Sequence, residues 1–430
     1  MRFWKILWGE MRRYWRPFTL IVMAVMLLMW NVIFEKDRVS VRPGTNSGIA
    51  YDISVEYAKR FGANIDPEER AAVEADYEKA LAALNEQYEI HMGQYDIHSV
   101  DDYHLLSGAV FLAEQQDYED ESYRMAADRW GADNLVELEK TCDDIFWHEM
   151  SFEYTGRMKD LESLVRSFQY TDEIAQFAES LPTLDPSALE KDSQEEHLWY
   201  ELSDEAKNRL RQSTAASEGR VSLLEVYNAH EGFQYLYQSW AVLIFILCGL
   251  IVLPLPVGNR ITGVTAMQFS SRTGRRVIHA QLGGALVNTL LINVGIDAFF
   301  IWIWFFGNRN TRHLLHCHIG WGGEPLIKWL DLTYMQFVLL TFGKVLLLSL
   351  GLTSVLFVLS HLSKNYLPAL TLSVPAVFLL VKISNETDYM LKISHSPSFA
   401  YPLTLMICVV VAVVAEFAFM KRTRKADYAD

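Results

Sequence analysis

Two ionisable residues interrupt long apolar runs in the second half of the chain. Asp297 lies in the run over 282–306, with Asn293 one helical turn before it, and Lys344 lies in the run over 334–360. Charged side chains inside a membrane are costly, and they line substrate paths or form ion pairs that fix helix packing. The sequence leaves both roles open. Antiparallel neighbouring helices would bring Asp297 and Lys344 to similar depth, so the two are expected to be able to pair.

A second group of reactive side chains follows the run over 282–306. It consists of three histidines and one cysteine, namely His313, His316, Cys317 and His318. Imidazole and thiolate are good zinc or copper ligands. The spacing matches no standard site, however, and three adjacent residues cannot easily converge on one ion. An interfacial loop is therefore favoured over a metal centre, and no metal or other cofactor is expected to bind this chain.

Sequence motifs for nucleotide hydrolysis and metalloprotease chemistry are missing. Gly343-Lys344 is followed by Val345, where a P-loop requires Ser or Thr, and the preceding glycine of that motif is absent. His148-Glu149 has no second histidine at the HExxH spacing. We therefore expect no catalytic residue in this chain, and it is not its own P-loop ATPase.

Charge and hydropathy divide the 430 residues into two unlike parts. The chain has a net charge of −15 and 51% hydrophobic residues. The segment 35–236 contains 44 acidic and 18 basic residues, a net of −26, whereas the remainder contains 9 acidic and 20 basic residues. A nucleic-acid-binding protein would carry positive charge on its soluble part. The division excludes that class and also a plain soluble enzyme. For the acidic segment, a solvated acidic surface is favoured over a site for cations or cationic peptides.

Six apolar runs are long enough to cross a bilayer, which requires about 20 residues in a helix. They cover 17–34, 238–257, 282–306, 334–360, 366–384 and 400–420. Pro368 and Pro375 predict a kink in the fifth run. Lys382 and Glu416 lie nearer the ends of their runs, where long side chains reach toward the membrane surface. The expected fold is all-α: a multi-pass membrane protein with six transmembrane helices.

The basic residues cluster in alternate flanks of these runs. They lie in the leader 1–16, in the loop 259–281 and in the tail 421–430. Because Lys and Arg accumulate on the cytoplasmic side, both termini and the loop 259–281 are predicted to be cytoplasmic in the cell membrane. The segment 35–236 then forms a mostly helical extracytoplasmic domain between the first and second spans. The remaining spans occupy 237–420.

The leader is predicted to be an amphipathic helix. On a helical wheel its aromatic residues share one face and its cations the other, which is typical of a helix in the membrane interface. A generic positively charged leader is the alternative. No small-residue cleavage site follows the run over 17–34, so this run is predicted to be a retained anchor rather than a signal peptide.

Local helix signals recur in the segment 35–236. Asp66-Pro67-Glu68-Glu69 combines a cap, a first-turn proline and a capping-box glutamate, and apolar residues follow it at spacings of three and four from Val73 to Tyr88. Helical spacing also marks 133–150, and Asp185-Pro186 indicates another helix start. A last helix from about 217 is expected to be able to continue directly into the second span.

The loop after the second span carries the most informative motif. It contains Gly263, the pair Ser270-Ser271 and the triplet Gly274-Arg275-Arg276. In these features it resembles the loop between the second and third spans of ABC transporter permeases of the type-two export family. Asn259 or Arg260 stands where that family usually has an acid, and no proline precedes the Gly-Arg pair. The candidate coupling residues are Arg260, Gly263, Val264, Met267, Phe269, Ser270, Ser271, Gly274, Arg275 and Arg276.

The resemblance implies a permease that exports a substrate, such as a peptide or a drug-like molecule. It also implies a partner ABC ATPase subunit that binds ATP and Mg, and a second permease chain in a homo- or heterodimer embedded in membrane lipid. The residues alone leave three alternatives open. The loop could be an ordinary basic linker, the chain could be a membrane sensor or scaffold whose extracytoplasmic domain binds a ligand, or the His/Cys loop could serve a membrane-embedded enzyme.

Overall fold

The computed structural model describes residues 2–30, 32, 53, 55–150, 152–182, 202–224, 229–270, 272–306, 311–321, 329–394 and 396–425. Within these ranges the chain is almost entirely helical. Its helices are α1 Arg2–Tyr14, α2 Pro17–Trp30, α3 Arg70–Met92, α4 Val100–Glu114, α5 Glu121–Trp130, α6 Leu135–His148, α7 Phe152–Ser180, α8 Asp204–Ser217, α9 Ala229–Val252, α10 Pro254–Ile261, α11 Val264–Ser270, α12 Arg272–Ile301, α13 Tyr334–Leu362, α14 Tyr366–Tyr389 and α15 Ala400–Lys425. Two short strands, β1 Asn64–Ile65 and β2 Val221–Ser222, pair antiparallel.

Five stretches of helix in the described residues are long and apolar enough to cross a membrane. They are Gly232–Ile261, Val277–Phe306, Tyr334–Leu362, Tyr366–Tyr389 and Ala400–Arg422. They agree with five of the six predicted runs. The first predicted run, 17–34, contains the shorter apolar helix α2 of 14 residues, about 21 Å at 1.5 Å per residue. Residues 31, 33 and 34 lie outside the described part of the chain.

Helix α13 lies at the centre of the membrane bundle, where it packs against α9, α12, α14 and α15. Aromatic side chains fill the part of this core that surrounds the start of α9. The rings of Phe233 and Tyr237 on α9 are stacked with centroids 5.6 Å apart, and Tyr237 lies 4.8 Å from Phe342 on α13. Such pairs stabilise by about 0.5–1.5 kcal/mol beyond their buried area. Together they fix the position of α9 against α12 and α13.

The two sides of the bundle differ in what they carry. Helices α1, α10 and α11 lie at one side, which we call the leader side. The end of α15 lies at the same side, because its Phe419 contacts His361 at the end of α13. The opposite side, the insert side, joins the inserted domain formed by α3–α8 with β1 and β2. The backbone N–H of Ser222 in β2 donates to the Trp321 carbonyl, 2.8 Å away, in the loop after α12.

The inserted domain follows the local signals of its sequence in two places. The predicted capping box forms, since Asp66 N–H donates to Glu69 Oε2 at 3.0 Å, and a short 3-10 turn at Pro67–Glu69 leads into α3. The helical spacing over 133–150 corresponds to α6. The predicted start at Asp185-Pro186 lies outside the described residues.

The expected helix from about 217 into the second span is wrong. Helix α8 ends at Ser217, and Glu218 and Gly219 both have positive φ, 51° and 75°. Such a conformation ends a right-handed helix. The chain then pairs as β2 with β1, so the helix does not run on from Ser217 into α9, whose described part is Ala229–Val252.

Candidate functional site: the loop joint and the buried polar layer

The leader helix α1 is docked on α12 rather than free at a membrane surface. Close approach is possible because two glycines of α12 face it. A Cβ added at Gly284 would lie 3.1 Å from the backbone nitrogen of Met11, and one at Gly283 would lie 3.0 Å from a Leu7 methyl carbon. The predicted amphipathic helix therefore exists, but only part of its apolar face is available to a membrane. Met11 and Tyr14 are buried, whereas Trp4 and Trp8 are exposed.

Specific hydrogen bonds fasten the end of this helix. Asn288 Nδ2 donates to the Met11 carbonyl at 3.0 Å, and Asn288 Oδ1 accepts from Trp15 Nε1 at 2.7 Å. The Tyr14 hydroxyl donates to the Gln281 carbonyl at 3.0 Å. The last carbonyls of a helix lack partners within the helix. Asn288 thus caps α1 from a helix more than 270 residues later in the chain.

The short helix α10 is bonded to three neighbouring elements. Arg13 of the leader forms an ion pair with Glu10 at 2.9 Å and donates to Asn259 Oδ1 at 3.3 Å. Arg260 donates to the His361 carbonyl at 2.5 Å, at the end of α13. The Tyr366 hydroxyl at the start of α14 lies 3.4 Å from the carbonyl of Pro254. A displacement of α10 would therefore reach the leader, α13 and α14 together. We call α10 and α11, with these contacts, the loop joint.

Three of the remaining predicted loop residues, Gly263, Val264 and Met267, occupy the outer edge of this joint. Gly263 connects α10 to α11 with φ of 75°, a conformation that favours glycine. Val264 is half-buried, and Met267 on α11 is 70% exposed. Ser271 lies outside the described residues, and so do the side chains of Phe269, Ser270, Arg275 and Arg276; Gly274 lies in the first turn of α12.

Several buried polar atoms at the joint have no hydrogen-bond partner among the described residues. They are Asn259 Nδ2, Thr265 Oγ1, Gln268 Oε1 and both side-chain polar atoms of Gln281. Each of the four residues is more than nine-tenths buried. An unsatisfied buried group costs about 1–3 kcal/mol. Sequence reasoning missed Thr265, Gln268 and Gln281, although a polar pair spaced by three on α11 was a readable signal.

The buried lysine of α13 has a different partner from the expected one. Lys344 Nζ donates to Asp388 Oδ1 at 2.5 Å and to the Ser384 carbonyl at 3.0 Å. Only 2% and 3% of the Lys344 and Asp388 side chains are exposed. The predicted Asp297–Lys344 pair is therefore wrong. By hydropathy the fifth apolar run ends at 384, so Asp388 was not considered as a partner of Lys344. In the structure α14 continues to Tyr389 and places Asp388 inside the bundle.

Asp297 is held separately, on the other side of α9. The Tyr237 hydroxyl donates to Asp297 Oδ1 at 2.6 Å, whereas the adjacent residue, Gln238, donates to Asp388 Oδ2 at 3.3 Å. Two consecutive residues of α9 thus contact the two carboxylates. We call Asn293, Asp297, Lys344 and Asp388 the buried polar layer. Within the described ranges, Asp297 forms no ion pair.

Asn293 belongs to a polar seam between α12 and α13. Ser349 Oγ donates to Asn293 Oδ1 at 3.1 Å, and the hydroxyls of Thr289 and Thr353 are 2.7 Å apart. Hydrogen bonds between membrane helices contribute about 0.6 kcal/mol each on average. Since Asn288 on the same helix holds the leader, α12 carries polar contacts on two faces and connects the leader to the centre of the bundle.

The His/Cys loop is a structural connection on the insert side. Cys317 is buried, and burial raises the pKa of its thiol to about 12, which disfavours the thiolate that metals bind. The His318 ring stacks on Trp321 at 3.8 Å and pairs with Asp331 at 3.3 Å. The part of the chain that the structure describes contains no group of three potential metal-ligating side chains.

No protein family, curated protein or solved structure matches this chain significantly. The geometry of the joint and of the polar layer therefore has to indicate the function. It consists of an exposed edge at α10 and α11 on the leader side, fixed contacts from that edge to three membrane elements, and charged residues inside the bundle.

Proposed function

We propose that the chain is the membrane-spanning permease subunit of an ATP-driven ABC exporter, whose ATP and Mg are bound by a separate ATPase subunit. The observation that carries the proposal is the joint. Its apolar edge is exposed at Ile261 and Met267, 55% and 70%, while its base is bonded to α1, α13 and α14. A partner that docks on the edge would move these elements as rigid bodies.

The proposal includes the topology. Helix α2 begins the first of six spans, the leader side faces the cytoplasm of the cell membrane, and the acidic inserted domain lies outside. The exposed apolar residues of α2, including Phe18 and Leu28, support contact with lipid there. Helices α14 and α15 also expose many apolar side chains. These faces suit lipid and a second permease chain, as a homo- or heterodimer.

The substrate path is proposed to run beside the buried polar layer. Asn293, Asp297 and Lys344 lie in the interior of the bundle, and an apolar groove of about 520 Å³ separates α9 from α14. The substrate class consistent with such walls is a peptide or a drug-like molecule.

The docking edge can be tested by co-purification with candidate ATPase subunits. Met267→Asp places a charge in the exposed apolar edge and should abolish ATPase retention without affecting membrane insertion. Ile90→Asp is the control, because Ile90 is equally apolar and exposed but lies on α3 of the inserted domain. Equal ATPase retention by both variants would contradict docking at α11.

A membrane sensor or scaffold remains the second candidate function. It is favoured by large exposed apolar side chains on the inserted domain, such as Phe111, Val136 and Trp147, which are suited to binding another protein. A wild-type chain that retains no ATPase, but retains a binding partner through Trp147, would favour this function over export.

A further inference from the structure

A second pocket shares no lining residue with the α9–α14 groove. It is bounded by α12, α13 and α15 and has a volume of about 380 Å³. Its walls are almost wholly apolar and include Leu286, Leu290, Leu347 and Val413. The exception is Glu416 of α15, whose side chain lines the pocket together with Ser354.

Among the described residues, Glu416 has no partner that would explain its position. In the part of the chain that the structure describes, it takes part in no ion pair and no side-chain hydrogen bond. The other carboxylates of the membrane helices discussed above are engaged. Asp388 is bound by Lys344, Asp297 by Tyr237, and Glu386 by Lys382 at 3.3 Å.

The depth of Glu416 makes the missing partner significant. The span Ala400–Arg422 has 23 residues, about 35 Å of helix, compared with a hydrocarbon core of about 30 Å. Glu416 is six residues, about 9 Å, from its leader-side end. In a centred span it lies about 7 Å inside the hydrocarbon boundary. A carboxylate there is costly, and ionisable groups inside membranes pair with opposite charge or mark a ligand path.

We propose that this pocket is a binding site for hydrophobic organic cations, in which Glu416 supplies the counter-charge and the apolar walls hold the body of the ligand. Charge and shape both support this ligand class. An anion would be repelled by Glu416, and a strongly hydrated metal ion would find only the Ser354 hydroxyl as a further side-chain oxygen ligand. The site also does not depend on the exporter assignment, because its binding test requires only this chain.

The pocket has room for such a ligand because small residues border it. A Cβ added at Gly351 would meet only the Ala412 methyl, at an ordinary contact distance of 3.7 Å. Helices α13 and α15 therefore pack closely through Gly351 and Ala412, and the space opens between them and α12.

Equilibrium binding of tetraphenylphosphonium to the full-length chain in phosphatidylcholine nanodiscs would test the site. Tetraphenylborate is the matched probe, because it has nearly the same shape and the opposite charge. Relative to empty nanodiscs, nanodiscs that contain the wild type should bind more of the cation and no more of the anion. Glu416→Gln should weaken cation binding at least about tenfold, since it removes one close charge in a low-dielectric site, and Glu416→Lys should reverse the preference. Glu386→Gln, which removes an exposed carboxylate on α14, should change neither.

Two results would overturn the proposal. One is cation binding by Glu416→Gln equal to that of the wild type, and the other is equal binding of both probes by the wild type. An arm with nanodiscs of an uncharged galactolipid, which has no ammonium group, distinguishes the source of the cation. Stronger probe binding there than in phosphatidylcholine, whose headgroup carries a quaternary ammonium, would assign the site to a lipid ammonium group, and unchanged binding would assign it to a free hydrophobic cation.

Discussion

Removal of one partner from the Lys344–Asp388 pair is expected to be far more damaging than removal of both. Asp388→Asn leaves the Lys344 ammonium inside the bundle with only the Ser384 carbonyl and a neutral amide as neighbours. Lys344→Met leaves the Asp388 carboxylate with one weak donor, Gln238. Because both side chains are at least 97% buried, each single change should cost about 3–5 kcal/mol.

The double variant Lys344→Met with Asp388→Asn should recover most of this loss, because neither charge then remains buried. We expect its cost to be about 1–2 kcal/mol, and thus a coupling energy of about 4 kcal/mol or more. Reversible unfolding of the full-length chain in mixed micelles measures all four proteins. The matched control combines Lys344→Met with Asp297→Asn, which should be additive within about 0.5 kcal/mol because these residues do not touch.

The opposite pattern would refute this reasoning. If Lys344→Met were additive with Asp388→Asn and coupled to Asp297→Asn, the lysine would have the partner that the sequence first suggested. The assignment of Asp388 to the membrane interior would then be wrong.

The leader and the inserted domain provide two further predictions. Gly284→Leu should detach α1 from α12, because the new side chain would overlap the Met11 backbone, and amide hydrogen exchange of residues 4–14 should then accelerate. Gly343→Leu is the control and should leave this exchange unchanged, because a Cβ added at Gly343 meets nothing within 4 Å. Burial raises the pKa of Asp160 to about 7, and its Oδ2 has no hydrogen-bond partner among the described residues. The folded domain therefore prefers the protonated acid, so stability should fall as pH rises from about 4 to above 7. Asp160→Asn should raise the unfolding temperature at pH 8 and have little effect at pH 4; an equal effect at both values would exclude titration of Asp160.

Local signals in the sequence were sufficient for the features that depend on neighbouring residues. Five spans could be predicted because each is a continuous apolar run, and the leader because its cations and aromatics segregate on one helix. The capping box at Asp66 and Glu69 needs only four residues. These features depend little on the rest of the chain, so pattern and propensity determine them.

Contacts between distant elements could not be read in the same way. Asp388 was excluded from the membrane by a hydropathy boundary, and the partner of Lys344 depends on which face of α13 meets α14. The docking of α1 on Gly283 and Gly284 requires knowledge of the third span's orientation. The end of α8 was missed because the pairing of β2 with β1, which competes with helix continuation, joins residues more than 150 positions apart.

The cap that Asn288 places on the leader has a consequence for biosynthesis. The two residues of the Asn288–Met11 bond are separated by 277 positions. At about 5–20 residues per second, the ribosome needs roughly 15–55 s to make the second after the first. During this interval α1 cannot pack on α12, and its exposed tryptophans and arginines allow it to bind the lipid surface. The amphipathic pattern of the leader thus favours lipid binding before α12 is made, and Asn288 stabilises the docked leader in the finished protein.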